Sequence, residues 1–386
     1  MSDIVMPPSA GGAVESRALT VYIDFKSPYA YLSIEPTRQL ARALGVKLDW
    51  QPFVLDIPSY LGSAQLNKRG QVARQSRTPE QWSGVKYAYY DCRRYANLRG
   101  LTIRGTVKIW DTNLAATGML WARQQGDEIL QRYIDGVYLP FWKRALDVES
   151  NEVIEGVLAK AGASVDGFKR FASGEGSQLN SHLQDSAFNQ GVFGVPTYAL
   201  GEELYFGREH LPRIRWQLQG GRGPAPDIAY ELVADDVVDP AEVRCLEVGV
   251  ALDEAESYLA IPAILAMARD LDLVVNWYTL PARKHRSAPA ADERSRGARH
   301  RHWRKENRQR DAHRYLQGMP ESDVASATTR LLENSGIHLG TGEQGAAWVG
   351  SGYVGSPVFR VGEELFVGRQ HLPLIRARFA AAVNVG

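Results

Sequence analysis

"GVFGVPTYALGEELYFGREHLPRIR" occupies residues 191–215, and "GYVGSPVFRVGEELFVGRQHLPLIR" occupies residues 352–376. Their last fifteen positions, 201–215 and 362–376, agree at eleven. Chance does not produce that agreement, so the pair reads as a duplication. The ten residues upstream of each set Pro196 opposite Pro357. Both stretches then run alike: a proline, an apolar segment, a Gly-Glu-Glu turn, a second apolar segment and a helix start. That is a β-hairpin followed by a helix. A weaker match links "YLSIEPTRQLARALGVKLDW" (31–50) to "YLAIPAILAMARDLDLVVNW" (258–277). Each half therefore opens with strand, helix, strand and closes with hairpin and helix, which predicts two units of one fold in tandem.

Local signals support that order. "LTVYIDF" (19–25) is a β-rich run, "IEPTRQLARALG" (34–45) has helical spacing with a glycine stop, and "VKLDWQPF" (46–53) alternates as a strand does. Strand, helix, parallel strand is a βαβ unit. A long helical stretch, about residues 64–185, separates it from the hairpin in the first half. There Trp82, Val85, Tyr89, Cys92 and Ala96 fall on one helix face. The second half is shorter at this point and keeps the charged "RHRHWRKENRQRDAHRY" (299–315) and one further helix near 322–335. The Gly/Pro cluster "QGGRGPAPD" (219–227) marks the boundary. The predicted organisation is a disordered leader (1–17), a first domain (18–222), a linker (223–239) and a second, shorter domain (240–386).

The chain has 386 residues, long enough for more than one core. Its net charge of +1 gives no global attraction to nucleic acid or acidic membranes. Only two cysteines occur, Cys92 and Cys245, far apart and in no C-x-x-C spacing. This excludes a disulfide scaffold or a cysteine zinc site and suits a cytoplasmic setting. The first residues lack the pattern of a signal peptide, and no apolar run reaches the ~18 residues of a membrane helix. A cytoplasmic protein with no membrane contact is expected.

The βαβ–ββα order, a turn after the first strand and a proline before the hairpin resemble the thioredoxin-like fold. The similarity is greatest to its DsbA-type branch. That branch holds disulfide oxidoreductases, kappa-class glutathione transferases and 2-hydroxychromene-2-carboxylate isomerases. Where the oxidoreductases carry C-P-H-C, this chain has Ser27-Pro28-Tyr29-Ala30, and exchange of disulfides needs a thiolate that serine cannot supply. "DFKSPYAYL" (24–32) is similar to the S-P-x-x-Y/W turn of the transferases and isomerases, and "GVFGVPT" with "FGREHL" is similar to their glutathione-binding half. "KYAYYDCRRYANLRGL" (86–101) is similar to the isomerase helix that carries aromatic and basic residues. The sequence departs from that pattern in "QPFVLDIPSYLG" (51–62), which offers no lysine after the strand.

The resemblance implies an α/β protein: a DsbA-like thioredoxin fold with a helical insertion, followed by a second thioredoxin-like domain. It implies reduced glutathione as cofactor and no metal. A hydroxyl at Ser27, where backbone N–H groups converge at a helix start, can donate to a bound thiolate. The same Ser-Pro pair is also how ordinary helices begin. Pro196 would be cis, with Val195 offering its backbone to the glutathione peptide. Pro28, Arg208, Glu209 and Asn113 complete the implied glutathione contacts, Glu209 holding the γ-glutamyl ammonium. Tyr31, Tyr87, Tyr90, Arg93, Arg94 and Trp110 would line a pocket for an aromatic acid, arginine pairing with its carboxylate.

In the second half, Glu254-Ala255-Glu256-Ser257 stands opposite the Ser27 turn and Gln370 opposite Glu209, so this copy is expected to be degenerate. The implied activity is isomerisation of a conjugated aromatic acid. A kappa-type transferase and a non-catalytic thioredoxin-like binding protein are the alternatives. A homodimer or an intrachain pseudo-dimer is expected. Residues 283–314 hold twelve Lys/Arg, four His and four acidic residues, which reads as a solvated helix and loop, and nucleic acid is not the expected partner.

Overall fold

The computed structural model describes residues 18–67, 71–233, 236–281, 295–340 and 355–383. The expected leader, part of the basic segment and the start of the second proline loop lie outside these residues. The first half runs β1 (Ala18–Ile23), α1 (Pro28–Leu44), β2 (Lys47–Pro52), α2 (Ile57–Leu61), β3 (Ala64–Leu66), β4 (Val72–Gln75) and α3 (Pro79–Leu98). Five more helices follow: α4 (Asn113–Gln124), α5 (Asp127–Trp142), α6 (Asn151–Ala161), α7 (Phe168–Ser173) and α8 (Glu175–Asn189). It closes with β5 (Thr197–Leu200), β6 (Glu203–Phe206) and α9 (Leu211–Leu218). The second half has β7 (Cys245–Val250), α10 (Ala255–Leu271), β8 (Val274–Thr279), α11 (Arg296–Leu316), α12 (Val324–Asn334), β9 (Val358–Val361), β10 (Glu364–Val367) and α13 (Leu372–Val383).

The two main sheets have the same order, β2-β1-β5-β6 and β10-β9-β7-β8, the second written from its opposite edge. In each, the first strand pairs parallel with the second and antiparallel with the hairpin strand. This is the thioredoxin-like arrangement, present twice. The inserted region is mostly helical, as expected; it opens with the short β3–β4 hairpin, and its last helix continues to Asn189.

Helix α1 shows why the turn sits where it does. Ser27 is extended and its Oγ accepts the Ala30 amide at 3.2 Å, which satisfies one of the free N–H groups of the first turn. Pro28 follows at the first helical position, and Gly45 closes the helix at φ 63°. The buried face of α1, with Ala30, Leu32, Leu40 and Ala41, packs into the core holding Trp50, Tyr198 and Trp142. At about 25 cal/mol per Å² of apolar surface, that burial dominates the local energetics, while the cap contributes about 1 kcal/mol.

The halves grip each other reciprocally. Helix α3 reads "DCRRY" over 91–95 and helix α11 reads "DAHRY" over 311–315. Arg94 donates to Asp91, Glu364 and the carbonyl of Leu365, and lies 3.8 Å over the Phe366 ring. Arg314 in turn meets Asp311, Glu203 and the carbonyl of Leu204, and lies 4.1 Å over Tyr205. The Tyr95 hydroxyl is 2.8 Å from Nδ1 of His371, and the Tyr315 hydroxyl is 2.7 Å from Nδ1 of His210. Each half thus sends one helix to clamp the hairpin of the other.

Candidate functional site

The Ser27 turn and the proline loop meet at the end of β1. Ser27 is 5% exposed, and its Oγ donates to the carbonyl of Val195 at 3.4 Å. The Val195–Pro196 bond is cis, as is Ser356–Pro357. A hydroxyl and a loop backbone therefore face each other beside the helix start.

Beneath the turn lies a buried polar cluster that the sequence reading did not identify. Asp24, 2% exposed, accepts from Thr112 Oγ1 at 2.6 Å and from the Leu55 amide at 2.7 Å. Lys26 Nζ sits 3.3 Å from Thr112 Oγ1 and 3.5 Å from Asp24. A buried charge needs a partner, and this ion pair supplies one on each side. The available signal was "DFK" itself: two charges directly after an apolar strand.

Glu209 and Arg208 follow β6 in a short turn. Glu209 folds back over Gly207, whose φ of 109° and lack of a Cβ leave room for the carboxylate. No cation forms an ion pair with Glu209 among the described residues. Burial pushes its carboxyl up to about 7, against the pull of its own backbone amide and of Arg208. Arg208 is 3% exposed and lies between the rings of Tyr95 and Tyr230, at 4.4 and 4.0 Å. Its Nε and Nη2 meet no acceptor among the described residues.

Beside Glu209 is a cleft of about 240 Å³ bounded by the first half's Phe206 and His210 and by α11. Arg304, Asn307 and Arg308 line its α11 wall, and Arg369 and Glu256 close its far end as an ion pair. Toward Val195, helix α11 seals the first half: the His300 ring stacks on Tyr60 at 3.9 Å and meets Phe193 edge-on at 5.5 Å. Gly297 makes the approach possible, because a Cβ there would stand 2.5 Å from the Ser59 carbonyl oxygen. The described part of the basic segment, residues 295–314, thus packs one face on the first half, where its charge alone predicts a solvated helix.

The remaining candidates are placed as follows. Tyr31 is buried and stacks on Tyr138 at 5.1 Å, in the core rather than along a cleft. Tyr87 accepts the Val367 amide at 2.8 Å, Arg94 clamps the second hairpin, and Tyr90 lies under the Arg94 guanidinium. Tyr87 and Arg94 thus lie at the seam between the halves, through partly buried partners on the second hairpin. Arg93 donates to the Ile103 carbonyl, and Trp110 packs on Phe141 with Lys108 over its ring. Asn113 binds Asp111, Asn180 and Gln184 within the helical insertion, while its neighbour Thr112 reaches the turn. Pro28 is the first residue of α1. In the second half Glu254 takes the capping position without a capping bond, and Glu256 pairs with Arg369. Cys92 is buried in α3, and Cys245 begins β7. Among the described residues no cluster of three metal-binding side chains occurs, and no helix is long and apolar enough to cross a membrane.

The family model of the DsbA-like thioredoxin domain matches residues 18–219. A 2-hydroxychromene-2-carboxylate isomerase of Sphingobium xenophagum is 26% identical over 201 residues, 51% of this chain and 95% of that protein. An enzyme of the same name from Pseudomonas putida is 23% identical over 194 residues, 49% of this chain and 88% of that protein. Among solved structures, a 2-hydroxychromene-2-carboxylate isomerase superposes with a TM-score of 0.41 at 21% identity, over 53% of this chain and 93% of its own.

Proposed function

Because the chain belongs to the DsbA-like thioredoxin domain family, we propose that it is a glutathione-dependent isomerase of the 2-hydroxychromene-2-carboxylate isomerase type. Its substrate class is a conjugated aromatic organic acid. The observation that carries the reading is the Ser27 hydroxyl at the start of α1, 3.4 Å from the Val195 carbonyl, in a turn without cysteine. When bound, glutathione supplies a thiolate that adds reversibly to a conjugated carbon–carbon double bond, making it single for long enough to rotate.

The residues present suit that ligand. Ser27 Oγ holds its proton toward Val195 and can turn it to a thiolate, and the Tyr29 amide at the helix start adds a second donor. Val195, in the bend before the cis Pro196, is the backbone that would pair with the glutathione peptide. Glu209 is a carboxylate without a cationic partner among the described residues, which fits the γ-glutamyl ammonium. Dithiol exchange is not part of the proposal, since the turn itself carries no cysteine and Cys92 and Cys245 lie on different elements.

One observation favours the second reading, a non-catalytic binding protein: the Ser27 hydroxyl already has an internal acceptor and is buried. Calorimetric titration of reduced glutathione into the wild type and Ser27→Ala separates the two. The isomerase reading expects micromolar-to-millimolar binding, with the bound thiol's pKa higher in the variant. An absence of binding at several millimolar rejects it.

A further inference from the structure

The two clamping helices do not start alike. By the alignment of "DCRRY" (91–95) with "DAHRY" (311–315), Arg296 corresponds to Ser76, yet α3 begins only at Pro79. Helix α11 thus starts earlier than its counterpart. The extension carries Arg296 and Gly297, and His300 follows one turn on. The position matching His300 on α3 is Glu80, so this ring occurs on one side only.

What the start of α11 covers is aromatic and adjoins the Ser27 turn. Phe53, Leu55, Tyr60, Phe188 and Phe193 line a slot beneath it. The Leu55 amide binds Asp24, three residues before Ser27, and Phe193 lies two residues before Val195, whose carbonyl accepts the Ser27 hydroxyl. The two charged residues on the slot's walls, Asp56 and Arg296, stand 4.0 Å apart and offset each other, so its character is set by the rings. The pocket expected at Tyr31 and Tyr87 does not form, since one lies in the core and the other at the seam.

The slot is occupied from within. The His300 ring lies parallel to Tyr60 within 3°, with centroids 3.9 Å apart, and meets Phe193 edge-on. Two rings at that spacing admit no third between them. About 10 Å³ stays open, roughly the room of one water. Burial brings His300 down to about 4, so the ring on Tyr60 is neutral and flat.

We propose that this slot seats the aromatic ring of the first half's ligand, and that His300 of the second half holds the seat until the ligand arrives. The incoming ring displaces the imidazole from Tyr60 and lifts the first turns of α11. This rests on the reading of a conjugated aromatic acid as substrate and adds that the second half controls access to the site.

The probe is trans-cinnamate, a conjugated aromatic acid. In calorimetry, His300→Ala should bind it at least fivefold more tightly than wild type, because the imidazole no longer competes. Adding Tyr60→Leu to His300→Ala should remove that gain. Saturating the wild type with cinnamate should speed hydrogen exchange at the amides of residues 299–303. Melting temperatures report whether the variants fold, and the exchange measurement needs no variant. Unchanged affinity in folded His300→Ala, or undiminished protection of those amides in the saturated wild type, overturns the proposal. So does failure of cinnamate to bind either protein at several millimolar. Glutathione binding without these effects leaves the function reading standing, and an absence of glutathione binding rejects that reading whatever cinnamate does.

Discussion

The Tyr95 hydroxyl lies 2.8 Å from Nδ1 of His371, joining a helix of the first half to the hairpin turn of the second. Both residues are buried, and burial holds His371 well below the usual histidine range, so the pair is neutral. Tyr315 and His210 repeat the bond in reverse, with burial bringing His210 down to about 3.

Removing either hydroxyl strands a buried ring nitrogen. Tyr95→Phe and Tyr315→Phe should each destabilise the protein by about 1–3 kcal/mol. Urea unfolding followed by fluorescence and by circular dichroism checks this. Because the bonds cross the seam, the two signals should move together, and separate transitions would show that the halves are not coupled.

The Arg94 clamp should be worth more than any surface pair. Arg94→Met leaves Asp91 buried without its guanidinium and should cost about 3–5 kcal/mol. Lys169→Met, which removes an exposed pair with Glu152, should stay within about 0.5 kcal/mol. Chemical denaturation of both variants gives the comparison directly.

Glu209 makes affinity depend on pH. A ligand ammonium needs the ionised carboxylate, whose pKa is about 7 before binding. Affinity should therefore rise about tenfold per unit from pH 5 to 7 and level off above it. The stability term has the opposite sign. The raised carboxyl favours the native state below its ordinary 4.5, and that contribution is lost as pH rises through 7. Glu209→Gln should flatten the binding profile and gain stability relative to wild type across the same window. Calorimetry and thermal melts at matched pH values test both slopes.

Gly297 sets how closely α11 approaches the first half. Gly297→Val would drive a side chain into the Ser59 carbonyl and should lift the start of that helix. The stack of His300 on Tyr60 would then break, and protection of the α2 amides from hydrogen exchange should fall. Unchanged exchange would mean that the contact tolerates the added bulk.

Much of each half was readable because its signals are local. The capping Ser27, the Gly45 stop, the hairpin turns and the apolar face through Cys92 and Ala96 all lie within a few residues of what they determine. The seam was not readable in this way. Arg94 meets Glu364 across 270 positions, and nothing in the periodicity around "DCRRY" distinguishes an arginine for a substrate from one for a distant hairpin. The places of Tyr87 and Tyr90 are hidden for the same reason, since an aromatic stripe does not state what covers it. Lys26 is half legible: "DFK" shows charges directly after an apolar strand, but Thr112, which meets its Nζ, stands 86 residues away. Nor does a charge count carry direction: Arg296 and Arg299 lie over Phe188 while Arg301 and Lys305 face water.

Two identical subunits must carry every substitution twice, so a helix extension that covers one slot covers the other. A single chain is released from that constraint. Helix α11 can begin early and cover the first half's slot while α3 starts later, and the association survives dilution because the linker holds the partners at an effective concentration on the order of millimolar. Asymmetry here is therefore a property of covalent connectivity, available at any protein concentration.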